Sequence, residues 1–280
     1  MKVCFVSDLF EHQIVGGAEK NDAILIQYLN STLPEGLKVH DSPSLNLNHI
    51  QEYDFFIISN FVMLSEEIKQ ALINTQKYII YEHDHKYVSN RNPATFVDYK
   101  IPADHLVNVD FYKNAKEVIV LSKICQEVLQ KNLQIENVHN IGCSLWSDKQ
   151  LDLIKGYTDI SKEYEYGVLN STNSVKGTRQ ALAYCKSKNI EPELINSPEY
   201  EDFLQKLAQC TNFIFFPQVL ETYSRVCAEA KMLGCNILTM PKMCGFFSEE
   251  CSTMRGIELI EEMRTRKNRA LEHFNEVIKI

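Results

Sequence analysis

Residues 213–239 read FIFFPQVLETYSRVCAEAKMLGCNILT. Phe213-Ile214-Phe215-Phe216 is an apolar, aromatic run of strand length, and Pro217 stops it. Gln218 to Thr222 read as a loop. From Ser224 to Leu233, Val226, Cys227, Ala230 and Leu233 fall on one face of a helix. Gly234 ends that helix, and Asn236-Ile237-Leu238-Thr239 begins the next strand. Strand, loop, helix and strand in this order form a parallel α/β unit. Two carboxylates frame it, Glu221 in the loop and Glu229 in the helix. Read alone, Glu221 would cap the helix and Glu229 would lie on its solvated face. Yet the loop after a parallel strand and the first turns of the following helix form the rim where α/β sheets hold ligands, with free amides suited to phosphate.

The segment as a whole, P-x3-E-T-Y-S-R-V-x2-E-A-x3-G-x2-I, resembles the donor-site signature of retaining, family-4-like nucleotide-sugar glycosyltransferases of the GT-B fold. The resemblance implies that Glu221 contacts the transferred sugar and that Glu229 holds the ribose hydroxyls of the nucleotide. Thr222, Tyr223, Ser224 and Arg225 would line the donor beside them. Thr222 and Ser224 stand where the family pattern has glycine.

A second match lies at the other end of the chain. Lys2 to Ser7 reads as a buried first strand and Asp8 to Val15 as a loop. Gly16-Gly17-Ala18-Glu19 then opens a helix carrying Ala23, Ile24, Ile26 and Leu29. Two glycines there let backbone approach a ligand, or simply turn the chain. The pattern is not the G-x-G-x-x-G of dinucleotide folds, which argues against nicotinamide or flavin. Gly-Gly-Ala-Glu after the first strand also resembles the glycosyltransferase family, where Gly16 and Gly17 would lie at the cleft, near the donor phosphates and the acceptor.

Further strands are expected at Lys38–His40, Asp54–Ser59, Lys77–Tyr81, Glu117–Leu121 and Val138–Ile141, with helices at Ser65–Asn74 and Ser122–Leu133. The alternation predicts a doubly wound parallel sheet. Glu82-His83-Asp84-His85 follows the fourth strand, at the sheet edge where ligands gather. In an extended segment His83 and His85 would face the same side. Two histidines without a third placed ligand do not make a metal site, and none is expected there. By resemblance, His83, Asp84 and His85 are acceptor-side residues, His83 first. Tyr87, Arg91 and Asn92 are further acceptor contacts to test.

Between Gly142 and Tyr166 the regular pattern weakens, which places a domain boundary there. Strands follow at Tyr166–Asn170 and Glu193–Asn196, and a helix at Glu199–Gln209. Val175-Lys176-Gly177 precedes a helix with Ala181 and Leu182; a lysine at such a start suits phosphate. Lys176-Gly177 matches the family's donor-diphosphate motif, whereas Asn170-Ser171 stand where the family has Gly-Arg. Arg179 and Arg225 are the nearby alternative cations. The last helix, Ile257 to Ile278, is amphipathic.

The expected fold is α/β, two Rossmann-like domains with parallel sheets facing across a cleft, in a short GT-B variant. Residues 1–155 would form the acceptor-side domain and 156–255 the nucleotide-sugar domain. Residues 256–280 would be a helix packing back on the first. The implied activity is metal-independent, retaining transfer of a hexose from a nucleotide-diphosphate sugar to a glycan, lipid or small molecule. His83, Glu221 and Lys176 would be the catalytic groups, and no cofactor is needed beyond the donor. A non-catalytic nucleotide- or glycan-binding relative and a nucleotide-sugar epimerase are the alternatives.

Composition agrees with a globular chain. The 280 residues are 45% hydrophobic, enough for two domain cores. A formal charge of −8 argues against nucleic-acid coating. No run has the length of a membrane span and the N-terminus lacks a secretory layout. Nine scattered cysteines, with no C-x-x-C, fit reduced thiols in a cytoplasmic protein.

Overall fold

The computed structural model describes residues 1–14 and 16–279; Val15, the last residue of the loop expected over Asp8 to Val15, and Ile280 lie outside the described residues. The chain divides into two units, Met1–Leu145 with Arg266–Ile280, and Trp146–Thr265.

Unit 1 runs β1 (Val3–Ser7), α1 (Gly17–Thr32), β2 (Leu37–Asp41), α2 (Leu47–Glu52), β3 (Phe55–Ile58), α3 (Glu66–Thr75), β4 (Tyr78–Tyr81), α4 (Val109–Lys113), β5 (Glu117–Val120), α5 (Lys123–Leu133) and β6 (Val138–Asn140). Its six strands pair in parallel in the order β2-β1-β3-β4-β5-β6. Val3 to Val6, Phe56 to Ile58 and Tyr78 to Tyr81 are fully buried. That is why they read as continuous apolar runs: helices cover both faces of a parallel sheet. Two of the unit 1 helices, α2 and α3, are capped at their start by a side chain. Ser65, for example, accepts the Ile68 amide at the head of α3.

Unit 2 runs α6 (Asp148–Gly156), β7 (Tyr164–Leu169), α7 (Thr178–Ser187), β8 (Glu193–Ile195), α8 (Tyr200–Ala208), β9 (Cys210–Phe215), α9 (Arg225–Met232) and β10 (Asn236–Thr239), and α10 (Gly256–Lys279) begins in it. The strand order is β10-β9-β7-β8, again all parallel. Val168, Ala181, Cys185 and Ile214 form the core between β7, β9 and α7.

The division falls after Leu145 rather than after residue 155. The stretch expected to lose regular structure instead contains α6, headed by a capping box in which Ser147 and Gln150 satisfy each other's backbone amides. Trp146, at the start of that stretch, is fully buried. The second division falls at Thr265/Arg266 rather than at 255/256, so that α10 contributes to both units. In unit 1 its second half is held by Phe274, buried against the Tyr81 ring at 4.9 Å, and by Lys116 Nζ, which donates to the Val277 carbonyl at 2.9 Å. All nine cysteines are buried thiols. Among the described residues, no helix is long and apolar enough to cross a membrane.

Candidate functional site

In unit 2 the chain leaves β7 to make β8 on one side and returns to place β9 on the other. The carboxyl ends of β7 and β9 therefore flank a topological switch point, where open α/β sheets leave a crevice for ligands. Lys176 lies in the loop after β7 and Glu221 in the loop after β9. Lys176 Nζ donates to both Glu221 oxygens, at 2.8 and 3.1 Å. Glu221 is fixed by its backbone as well: its amide bonds to the Met243 carbonyl and its carbonyl accepts the Gly245 amide. Gly177, after Lys176, has φ +69, and a Cβ there would stand 1.7 Å from the Phe216 carbonyl oxygen. The lysine loop can approach the end of β9 this closely only with glycine at that position.

Glu229, about one turn into α9, is 3% exposed. Its Oε1 accepts from the Trp146 indole at 2.9 Å and from the Tyr200 hydroxyl at 2.7 Å, and lies 3.6 Å from Arg225. Arg225 in turn lies over the Trp146 ring at 4.4 Å. Burial and the Glu229 charge push the Tyr200 hydroxyl far above its ordinary pKa, so it stays protonated and donates. Glu229 is thus not on a solvated helix face, and Arg225 is committed to this cluster rather than to the place of the family's missing arginine. At that place, the Ser171 amide donates to Thr178 Oγ1 at 3.0 Å, and Arg179 is exposed on α7. Thr222 is half-buried. Tyr223, expected on the donor, is instead buried between the Trp146 and Phe246 rings, with its hydroxyl 3.2 Å from Met263 Sδ. Ser224 has φ 73 and ψ 74, a left-handed conformation natural to the glycine it replaces in the family pattern.

Unit 1 has its own switch point, between β1 and β3. Asp22 of α1, fully buried, sits there as a hub. Ser59 Oγ, just past β3, lies 2.8 Å from both its oxygens, and Ser7 Oγ at the end of β1 is at 3.2 Å. His83 Nε2 is 3.1 Å from Asp22 Oδ1. Gly16 caps α1, and the Glu19 carboxylate folds back until its Oε2 is 2.2 Å from where a Gly16 Cβ would stand. Burial raises the Glu19 pKa, with smaller help from the Asp22 and Asp84 charges, against a lowering by a backbone hydrogen bond and by His83.

The EHDH segment is not extended. His85 takes φ 54, and the two histidines separate: His83 meets Asp22, while His85 Nδ1 lies 3.2 Å from the Tyr87 hydroxyl. They share no ligand position. Asp84 is exposed. Tyr87 is fully buried against Tyr112 and so belongs to the core; Asn92 is buried and Arg91 exposed.

No family model and no curated protein matches the chain. Among solved structures, the Anabaena protein Alr3699/HepE in complex with UDP and glucose is similar at a TM-score of 0.59 and 13% identity, over 99% of this chain and 100% of that one. The same protein with UDP-glucose gives 0.55 at 16% identity, over 99% and 92%. An alpha-glucosyltransferase in complex with UDP-glucose and DNA containing an abasic site gives 0.50 at 11%, over 100% and 92%. The chain has the GT-B fold of glycosyltransferases.

Within this GT-B chain, sequence reasoning missed Asp22, Ser7, Ser59, Trp146 and Tyr200. Asp22 carries a readable signal, since it shares the buried face of α1 with Leu25 and Leu29. A carboxylate at a core position of an amphipathic helix requires buried donors. The donors themselves, 15 to 61 positions away in sequence, are unreadable without the fold.

Proposed function

We propose that the chain is a glycosyltransferase that takes its sugar from a nucleoside-diphosphate donor held by unit 2. The observation that carries this is the convergence of Lys176, Glu221 and the head of α9 on one switch point, with Glu229 anchored about one turn below. UDP and UDP-glucose in solved structures of the same fold support the choice of uridine nucleotides as the first donors to test.

In this reading Lys176 turns from Glu221 to the diphosphate, and with the amides at the start of α9 it stabilises the charge that grows as the nucleotide departs. Glu221, released, accepts from sugar hydroxyls. Glu229 keeps Oε1 on Trp146 and Tyr200 and offers Oε2 to the ribose. In unit 1, Asp22 orients His83, the Gly16-Gly17 turn admits close approach, and this group serves the acceptor. Net retention of anomeric configuration and independence from metal belong to the same proposal. The −8 charge favours a glycan, lipid or small-molecule acceptor over a nucleic acid.

Titration calorimetry with UDP, GDP and ADP tests the donor. Glu229→Gln keeps a hydrogen-bonding side chain of the same size and is expected to weaken UDP binding by about 1.5–3 kcal/mol, the value of a hydrogen bond to a charged group. Unchanged affinity in that variant removes the ribose role, and absence of binding to any nucleoside diphosphate removes the proposal. A binding-only protein is the second reading, favoured by Asn170-Ser171 where the family has Gly-Arg. It predicts tight UDP-glucose binding with no release of UDP in the presence of any acceptor.

A further inference from the structure

We propose that unit 1 carries a divalent-metal site of two imidazoles and one carboxylate, built from Glu117, His139 and His273, suited to zinc. The sequence hid it, because the three residues are separated by 22 and by 134 positions, and none lies in the motifs that drew attention to His83 and His85. The fold gathers them. β5 and β6 are adjacent and parallel with Ile119 opposite His139, so Glu117, two residues before Ile119, shares a sheet face with His139. The second half of α10 lies over that face and brings His273.

The donor atoms of the three side chains all lie within 4.8 Å of one another. His273 Nε2 is 2.7 Å from Glu117 Oε2, and the two imidazole rings are stacked, with centroids 3.7 Å apart and planes 12° from parallel. In a tetrahedral zinc site with bonds of 2.0–2.1 Å, donor atoms stand roughly 3.4 Å apart. Two neutral imidazoles with a carboxylate form the nitrogen and oxygen set that suits zinc or nickel and offers little to magnesium or calcium. His273 and Glu117 are 22% and 20% exposed, so an ion can enter and water can complete its coordination.

The site is separate from the Asp22 group. Glu117 is the first residue of β5, at the end of the sheet opposite the carboxyl edge where Ser7, Ser59 and His83 gather. A metal there would tie edge strand β6, its neighbour β5 and α10 together, a structural role that leaves the transfer chemistry untouched. Lys116, beside Glu117, already pins α10 through the Val277 carbonyl, so the metal would reinforce an existing contact.

The test uses the full chain stripped with EDTA. Addition of zinc is expected to raise its melting temperature with a stoichiometry of one ion per chain, while magnesium gives no shift. Cobalt substituted for zinc is expected to give a visible d–d band without the near-ultraviolet charge-transfer band of thiolate ligation. That band separates this site from binding at any of the nine cysteines. His273→Asn and Glu117→Gln, both at partly exposed positions, are expected to keep the native circular dichroism and to lose more than about tenfold in zinc affinity, since even loss of an outer-shell partner costs that much. Absence of a zinc-induced shift, an equal shift in both folded variants, or a thiolate band in the cobalt spectrum each overturns the site.

Discussion

Glu229 shows how one buried carboxylate decides the conformation of its surroundings. Trp146, Tyr200 and Arg225 all converge on Oε1, and Arg225 is itself only 10% exposed at its side chain. Removing the acceptor takes the charged partner from the Arg225 guanidinium and a hydrogen-bond acceptor from the buried Trp146 indole and the Tyr200 hydroxyl. Glu229→Ala is therefore expected to destabilise unit 2 by about 3–5 kcal/mol, as breaking a buried pair does, whereas Glu229→Gln costs much less; urea unfolding of the two variants checks the order. Lys176 behaves oppositely. Its side chain is 35% exposed, and its pair with Glu221 contributes at most about 1 kcal/mol. Lys176→Ala should leave the urea midpoint nearly unchanged and weaken UDP binding, a separation that a structural lysine would not produce. Ser224 is a third case at this scale. Its left-handed backbone tolerates serine poorly and β-branched residues worse. Ser224→Val is expected to cost at least about 1–3 kcal/mol, while Ser224→Gly is near neutral because relieved strain offsets the entropy of a freer unfolded chain. Equal midpoints for the two variants in a denaturant titration would show that the backbone there relaxes without cost.

At the scale of elements, the ten strands among the described residues were legible, most plainly β1, β3 and β4, which are buried and apolar along their whole length and need no alternation to be recognised. The helices were legible where they ran long. α2 and α4 are six and five residues, too short to show a helical period. α6 was missed despite its S-D-K-Q capping box, since polar residues around Trp146 masked the pattern. In the site, loop residues were found by motif, but their partners depend on contacts across the sheet. The loop after β4 shows what this hides. Glu82 Oε1 accepts from the Asp84 amide at 2.8 Å, the Lys86 amide at 3.3 Å and Lys86 Nζ at 3.0 Å, and its other oxygen accepts the Tyr112 hydroxyl. This fixes the turn that presents His83. Burial alone would raise the Glu82 pKa, but Lys86 and Tyr112 outweigh it and bring it down from 4.5 to about 2. A group depressed on folding stabilises the fold fully above its unfolded pKa. That contribution, about 3 kcal/mol, is expected to vanish as pH falls from 4.5 through 2. Urea midpoints measured across that window should drop steeply in the native chain. In Glu82→Gln the slope should flatten and stability at neutral pH should be lower; an unaltered slope would assign the acid sensitivity to other carboxylates.

At the scale of the molecule, each unit has its own parallel sheet, its own core and its own polar group at a switch point, and α10 is the element shared between them. Phe274, fully buried in the unit 1 half of that helix, touches Tyr81, the last residue of β4. Phe274→Ala removes a ring from a close-packed site, at an expected cost of about 3–5 kcal/mol. If the units open separately, amide exchange should accelerate in β1 to β6 of this variant and stay unchanged in β7 to β10. On the proposed assignment of the donor to unit 2, UDP should then protect α9 and the loop before it, without restoring protection to unit 1, because a ligand stabilises only what must be folded to bind it. If exchange instead accelerates equally in both units and UDP slows it in both, the helix couples them into one cooperative structure, and ligand binding in unit 2 is energetically linked to the buried group around Asp22 and His83 in unit 1.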